Sequence, residues 1–574
     1  MIKKFQFWLK NEYSDFQKIP LKFKLLCFSL IIFGTVPRFF GLFNLGYVYD
    51  MVETQFAWGK FAFDAGYFGF WRNYPMNLLY DYPPISLLYE YILVMLTAPF
   101  GYNINLFVAL IKSVNWVFEI AISLLILFLV NLKKGEKNDP VSDTRVASIH
   151  KTNVLLTPQQ ASEYSTTNNN WKFFLSSLVY ALPALWFVSG TWGQNDSLMA
   201  LLAFLSVFVI FKQAPGFETT FELAKNTENK VKVVFYKDIN FWAGILFATA
   251  IQIKQQPILA LPFILFFYLF GKTWKDIFKA SLYALPFGFL AVFGSLIYSE
   301  NKQILFQNAS NWDVIVIISL IILIIPLFLL TMNLNVSGSW YKFRRWLFGV
   351  FLLTNVIFIP LLIVNYVRLA KVTFATVGRI DVVGNGGATF LSLLSKNNLG
   401  SEVVFKAYNF SLSIGQLGLL IYLSLMTYLF IKFFGLTLAK LKTLNLKNIF
   451  PKSFSILDFT LLFWVHSSAY FLFFTKMHSR YLHMGVIFAF FVLAFQLPKW
   501  FKEAWLKLSV AFSVFYFLNQ IGVFAANNKE PYWANQLSDS FQVNPWTISS
   551  IGLTVCFSVM YYLVLRYFVE VKER

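Results

Sequence analysis

The chain has 574 residues, 57% of them hydrophobic and 13% charged, with a formal net charge of +20 at pH 7 and a mean hydropathy of +0.59. That balance excludes an ordinary soluble domain and identifies an all-α polytopic membrane protein. In such a chain the Lys and Arg surplus orients spans rather than binding nucleic acid, and two cysteines in apolar runs, Cys27 and Cys556, exclude a disulfide framework or a Cys-based metal site.

Residues 1–24 read as a cytoplasmic basic lead with Lys3, Lys4, Lys10, Lys18, Lys22 and Lys24, and no cleavable signal peptide follows. The first span is 25–43. Residues 44–103 form a large outer loop holding Asp50, Glu53, Asp64, Asp81 and Glu90 among aromatic rings. Within it, 84–100 follow Pro83-Pro84, contain Glu90 and stop at Pro99-Phe100-Gly101, which suits a juxtamembrane or re-entrant helix. A central transmembrane region, 104–366, opens with span 104–131 and a polar segment, 132–170, read as a flexible cytoplasmic loop. Further spans fit 173–190, 197–211, 241–253, 257–270, 280–298, 313–331 and 346–366. An outer loop, 367–410, precedes a C-terminal transmembrane region, 411–574, with spans 411–431, 454–474, 482–497, 506–524 and 547–566. The expectation is about 14 transmembrane helices with both termini cytoplasmic; most of the 48 Lys and Arg then fall on the cytoplasmic side. The many Phe and Trp are expected to be mostly lipid-facing or interfacial.

This threading gathers polar clusters at the outer face: Asp50 to Glu53, the Tyr80-Asp81-Tyr82-Pro83-Pro84 turn, Gly193-Gln194-Asn195-Asp196 and Lys476 to Tyr481. Lys254-Gln255-Gln256-Pro257 lies between two short spans. Charges at membrane depth are costly and line cavities or pair with one another, so a site opening outward is expected.

Taken in order, Asp50 through Glu53-Thr54-Gln55-Phe56-Ala57-Trp58, Tyr80-Asp81-Tyr82-Pro83-Pro84-Ile85-Ser86, Gly193-Gln194-Asn195-Asp196-Ser197, Lys254-Gln255-Gln256-Pro257 and Lys476-Met477-His478-Ser479-Arg480-Tyr481-Leu482 resemble the GT-C glycosyltransferases over roughly residues 25–500. The similarity is greatest to the dolichyl-phosphate-glucose glucosyltransferases of N-glycan assembly and to bacterial polyprenyl-phosphate-dependent mannosyltransferases. The spacing of Asp50 and Glu53 departs from the glucosyltransferases by one residue, and Ser479 stands where relatives usually carry Glu. The resemblance implies a GT-C-like fold and inverting transfer of a hexose, mannose or glucose, from a polyprenyl-phosphate donor to a glycan or lipid-linked acceptor. The reaction is expected on the extracytoplasmic face of a plasma membrane, or in the ER if the source is eukaryotic, with no metal and no cofactor beyond the lipid-linked substrate.

A phosphate leaving group needs no proton, so one carboxylate to deprotonate the acceptor suffices, with cations to stabilise the phosphate. Asp50 is the candidate base, with Glu53 the other carboxylate. Lys254, His478 and Arg480 are candidates for the phosphate, and Trp58, Asp81, Tyr82, Gln194, Asp196, Gln255 and Tyr481 for further substrate contact. Plainer roles stand beside these. Asp50 and Glu53 can form a solvated face, Asp81 a turn, Asp196 a cap on a helix beginning at Ser197, and Lys254 an interfacial snorkel. His466 and His483 read as satisfied core residues, and Lys112 and Glu119 as bundle stabilisers. A secondary transporter or lipid-linked-sugar flippase is the alternative class.

Overall fold

Runs of about 20 apolar residues satisfy their own backbone in lipid only as helices, and helix dominates this computed structural model. The structure describes residues 2–44, 49–73, 83–131, 158–211, 238–254, 256–264, 343, 345–350, 352–354, 384–385, 389–394, 402–407, 410–434, 455–474, 477–495, 497–527 and 545–572. Among them, seven helices are long and apolar enough to cross a membrane: Leu21–Leu42, Ile104–Val130, Asn169–Gly190, Ile414–Phe434, Ile456–Phe473, Lys499–Gly522 and Thr547–Glu570. Each overlaps an expected span. Expected spans 197–211, 241–253 and 482–497 hold shorter helices, Asp196–Phe211, Ile239–Ile253 and His483–Val492. Spans 280–298 and 313–331 lie outside the described residues, as do parts of 257–270 and 346–366.

The N-terminal lead is a helix, α1 (Ile2–Gln17), followed at Pro20 by α2 (Leu21–Leu42). A π-helical segment, Tyr49–Phe56, leads into α3 (Ala57–Ala65) and α4 (Tyr67–Asn73). Helix α5 (Pro84–Thr97) has 14 residues, about 21 Å at 1.5 Å per residue, too short to cross alone. It packs on α3 and on α6 (Ile104–Asn131).

Helix α7 (Pro158–Ala181) corrects part of the flexible-loop expectation, because residues 158–170 are helical. Asn169 and Lys172 are buried there, and the Lys172 ammonium bonds Glu12 at 2.8 Å and Asp15 at 2.9 Å. Lys172, just beyond the polar segment, thus ties α7 to α1. Helix α7 ends before Pro183, which lacks an N–H and holds Leu182 in an extended conformation (φ −56°, ψ 121°). One further turn, α8 (Pro183–Trp186), passes into a second π-helical segment, Phe187–Trp192, and then into α9 (Asp196–Phe211).

Helix α10 (Ile239–Ile253) is capped by Asp238, stops at the extended Lys254 and is followed by a 3-10 turn, Gln256–Ala260. Further on, α11 (Ile414–Phe434), α12 (Ile456–Phe473), α13 (His483–Val492), α14 (Lys499–Asn527) and α15 (Pro545–Lys572) complete the described helices. Helix α12 begins with a reciprocal Ser455–Asp458 capping box. It and α13 sit at the centre, every residue of α13 being buried. Beside the expected lipid-facing or interfacial aromatics, a set of described rings fills the interior: Trp464 packs against Trp505, Phe512 and Phe557, and Trp58, Trp71 and Trp192 are buried as well. Ring-on-ring packing fills a bundle that polar contacts alone do not. A short parallel pair joins Gly384–Asn385 to Met477–His478, and an antiparallel pair joins Val403–Ala407 to Phe410–Ser413.

Candidate functional site

The site is assembled where two interrupted stretches of helix meet. Gly193, the residue after the second π segment, has φ +85°, and a Cβ there would lie 2.6 Å from Met51 Sδ. Only glycine gives both the left-handed turn and the close approach. That approach seats Asp50 on the adjoining turn. Asp50 is half-buried, and its Oδ2 accepts from Trp192 Nε1 at 3.0 Å and from Gln194 Nε2 at 2.9 Å.

Gln194 Oε1 accepts from Lys254 Nζ at 3.2 Å, and Lys254 Nζ donates to Asp196 Oδ2 at 2.8 Å. The Lys254 and Asp196 side chains are 3% and 0% exposed. At that depth a charge persists only with a partner, so the pair explains how Lys254 lies among apolar helices. Asp196 is the first residue of α9 and its carboxylate is used by Lys254. Beside it, Ser197 Oγ lies 3.0 Å from His483 Nε2 and 3.2 Å from Glu119 Oε1.

Glu119 extends the network to α2. Its Oε2 accepts from Arg38 Nε at 2.5 Å, and its Oε1 also accepts from Ser189. Arg38 donates to the carbonyls of Gly34 and Tyr180 and lies 4.4 Å from the Tyr180 ring centroid, a cation–π contact. Lys112 donates to the carbonyls of Gly41 and Asn44 at 2.8 and 2.6 Å. Gly41 lies in the last turn of α2, and its carbonyl also accepts from the Asn44 backbone N–H at 3.2 Å. Lys112 and Glu119 thus hold α6 to α2, in line with a bundle role.

Of the residues singled out in the sequence, the structure brings Asp50, Gln194, Asp196 and Lys254 into one hydrogen-bonded chain. Glu53 is exposed on the same π segment. Trp58 is 4% exposed in α3, with its ring buried. Tyr481 is half-buried in the 3-10 turn Ser479–Leu482. His478 and Arg480 are described in backbone only; their segment runs directly into His483, beside Ser197. Asp81, Tyr82 and Gln255 lie outside the described residues. The Tyr67 hydroxyl donates to the Pro84 carbonyl at 3.0 Å, tying α4 to the start of α5, and burial pushes its pKa up, so it stays protonated as a donor.

Both histidines expected in the core are there: His466 Nδ1 lies 2.5 Å from the Tyr422 hydroxyl, and His483 bonds Ser197. His483 Nδ1 and Asp196 Oδ1 have no hydrogen-bond partner among the described residues. Sequence reasoning missed Trp192, Ser197 as a bridge, and Arg38. A lone Arg inside an apolar span was a legible signal for the last. No three His, Cys, Asp or Glu side chains gather into a metal-holding group among the described residues. No family model matches the chain and no curated protein matches its sequence.

Proposed function

We propose that the chain is a GT-C-type hexosyltransferase that moves mannose or glucose from a polyprenyl-phosphate carrier to a glycan or lipid-linked acceptor at the extracytoplasmic face, with inversion. Asp50 takes the proton from the acceptor hydroxyl as that oxygen attacks the anomeric carbon. The bond from that carbon to the phosphate oxygen breaks, and polyprenyl phosphate leaves with the electron pair. His478 and Arg480 are the proposed partners of the departing phosphate, where charge-assisted hydrogen bonds act most strongly. The observation that carries the reading is the Asp50 carboxylate, half-buried and held by Trp192 and Gln194 where the two π-helical segments meet. π-helical turns are rare and concentrate at functional sites.

The test supplies polyprenyl-phosphate mannose and glucose to purified protein with candidate acceptors and measures transfer. An amide keeps the shape of the carboxylate but accepts no proton, and general-base catalysis is worth about 10²–10⁴-fold. Asp50→Asn is therefore expected to lower turnover by roughly two orders of magnitude with donor binding intact, and Glu53→Gln to be milder. An active Asp50→Asn beside an inactive Glu53→Gln transfers the base to Glu53. Chelator inhibition rescued by a divalent ion assigns these carboxylates to a metal instead.

A second reading, a transporter or flippase of lipid-linked sugars, draws on the breaks in the chain at Gly193 and Lys254, with a buried ion pair between them. Interrupted helices of that kind hold the substrates of many transporters. Vesicle uptake of lipid-linked sugar without its consumption favours that reading.

A further inference from the structure

We infer that Lys254 is a positioning residue: its ammonium fixes which way round the Gln194 carboxamide sits and so directs an N–H at Asp50, instead of binding the donor phosphate. This deepens the proposed reaction and rests on Asp50 being its base.

The inference follows from donor and acceptor arithmetic. A carboxamide has an accepting end and a donating end that are nearly the same shape, and its surroundings decide which faces where. An ammonium can only donate. Lys254 Nζ, 3.2 Å from the Gln194 side chain, therefore demands the oxygen and turns the NH2 group toward Asp50 Oδ2, 2.9 Å away. The Asp50 carboxylate, which can only accept, favours the same orientation; removing Lys254 leaves the amide held from one side only and lowers the cost of the flip that sets its oxygen against the carboxylate.

Lys254 is itself held. It sits at the end of α10 in an extended conformation (φ −149°, ψ 149°), which turns the chain out of the helix, and Asp196 at the start of α9 accepts from it at 2.8 Å. A side chain 3% exposed and engaged by Asp196 and Gln194 is poorly placed to follow a lipid phosphate in and out. Trp192 Nε1 donates to the same Asp50 oxygen at 3.0 Å. Two donors from one short loop thus converge on Oδ2 and set the plane of the carboxylate, and Lys254 sets one of the two.

The experiment uses the full chain in lipid nanodiscs. A hydrophobic carbodiimide labels Asp50, read by mass spectrometry, and transfer from polyprenyl-phosphate hexose is followed in parallel. Lys254→Met is paired with Asp196→Asn so that neither buried charge is left alone, and the pair is made in wild-type and Gln194→Ala backgrounds. The pair and Gln194→Ala are each expected to label Asp50 faster, and the combination no faster than Gln194→Ala alone. In transfer, the pair is expected to lower kcat by roughly tenfold with the donor KM unchanged. Wild-type labelling of Asp50 in the pair, additive effects in the combination, or a raised donor KM at unchanged kcat overturns the inference. A wild-type chain that transfers no hexose sinks the proposed reaction, while the labelling still decides the orientation. Should the pair not fold, Lys254→Gln with Asp196→Asn answers the same question, since an amide at 254 accepts as well as donates and no longer dictates the Gln194 orientation.

Discussion

The Arg38–Glu119 pair offers the sharpest test of how the bundle is held. Both side chains are at most 1% exposed, so removing one partner strands a charge in a low-dielectric interior, at a typical cost of about 3–5 kcal/mol. The two single variants should differ. In Glu119→Gln the guanidinium keeps the Gly34 and Tyr180 carbonyls and the Tyr180 ring, and the loss falls near the lower end. In Arg38→Met the Glu119 carboxylate is left with the hydroxyls of Ser189 and Ser197, and the loss falls near the upper end. The double variant removes both charges and should recover part of it, giving a favourable coupling of roughly 1–3 kcal/mol. The assay is built into the chain: Cys27 and Cys556 are free and buried, so a thiol-reactive fluorophore in detergent reports unfolding on heating. A single-variant loss on the order of 5 °C in Tm is expected. Single variants melting with the wild type, or a double variant losing the sum of the two, would refute this account of the pair.

Gly193→Ala places a Cβ at a left-handed turn and against Met51. A loss of about 1–2 kcal/mol from the turn alone, plus the displacement of Met51, should lower turnover and melting temperature together, and an unaffected variant would show that the turn is not needed. With Cys27 and Cys556 replaced by Ala, single cysteines at Asn73 and Asn168 test the orientation. Asn73→Cys is expected to react with an impermeant thiol reagent in intact cells and Asn168→Cys only after lysis, and the reverse pattern would invert the threading.

Hydropathy made the long helices legible because lipid demands long apolar runs, and the seven described helices that can cross a membrane all overlap stretches marked by composition alone. Short helices were harder. His483–Val492 reads as a span by its apolar content, yet its 10 residues cover about 15 Å, half of a bilayer core; it is apolar because protein surrounds it on every side. Residues 158–170 were misread for the opposite reason. They are polar by composition yet continue N-terminally the helix that Lys172 pins to Glu12 and Asp15 of α1, a contact far away in sequence. At the site, the residue types singled out Asp50, Gln194, Asp196 and Lys254 as candidates, but not who pairs with whom. Lys254 looked like a cation for an outside anion, and its nearest anion turned out to be Asp196.

Buried polar contacts between helices help keep irregular backbone at this position. A π turn or an extended residue inside a bundle releases backbone groups from the regular helical ladder, at a cost of several kcal/mol for each group left unsatisfied in lipid. Here the breaks are flanked by buried polar side chains. Lys112 takes up the carbonyls of Gly41 and Asn44 just before the first π segment, Ser189 within the second bonds Glu119, and Lys254 itself forms the break after α10. Each of these side chains reaches a residue distant in sequence, so docking of the partner helix adds to the local backbone bonds that Gln194 N–H makes to Val188 and Lys254 N–H to Ala250. The irregular turns that present Asp50, Trp192 and Gln194 therefore draw on the assembled bundle as well as on local bonds, which is why a local reading of the sequence reaches the residues before it reaches their geometry.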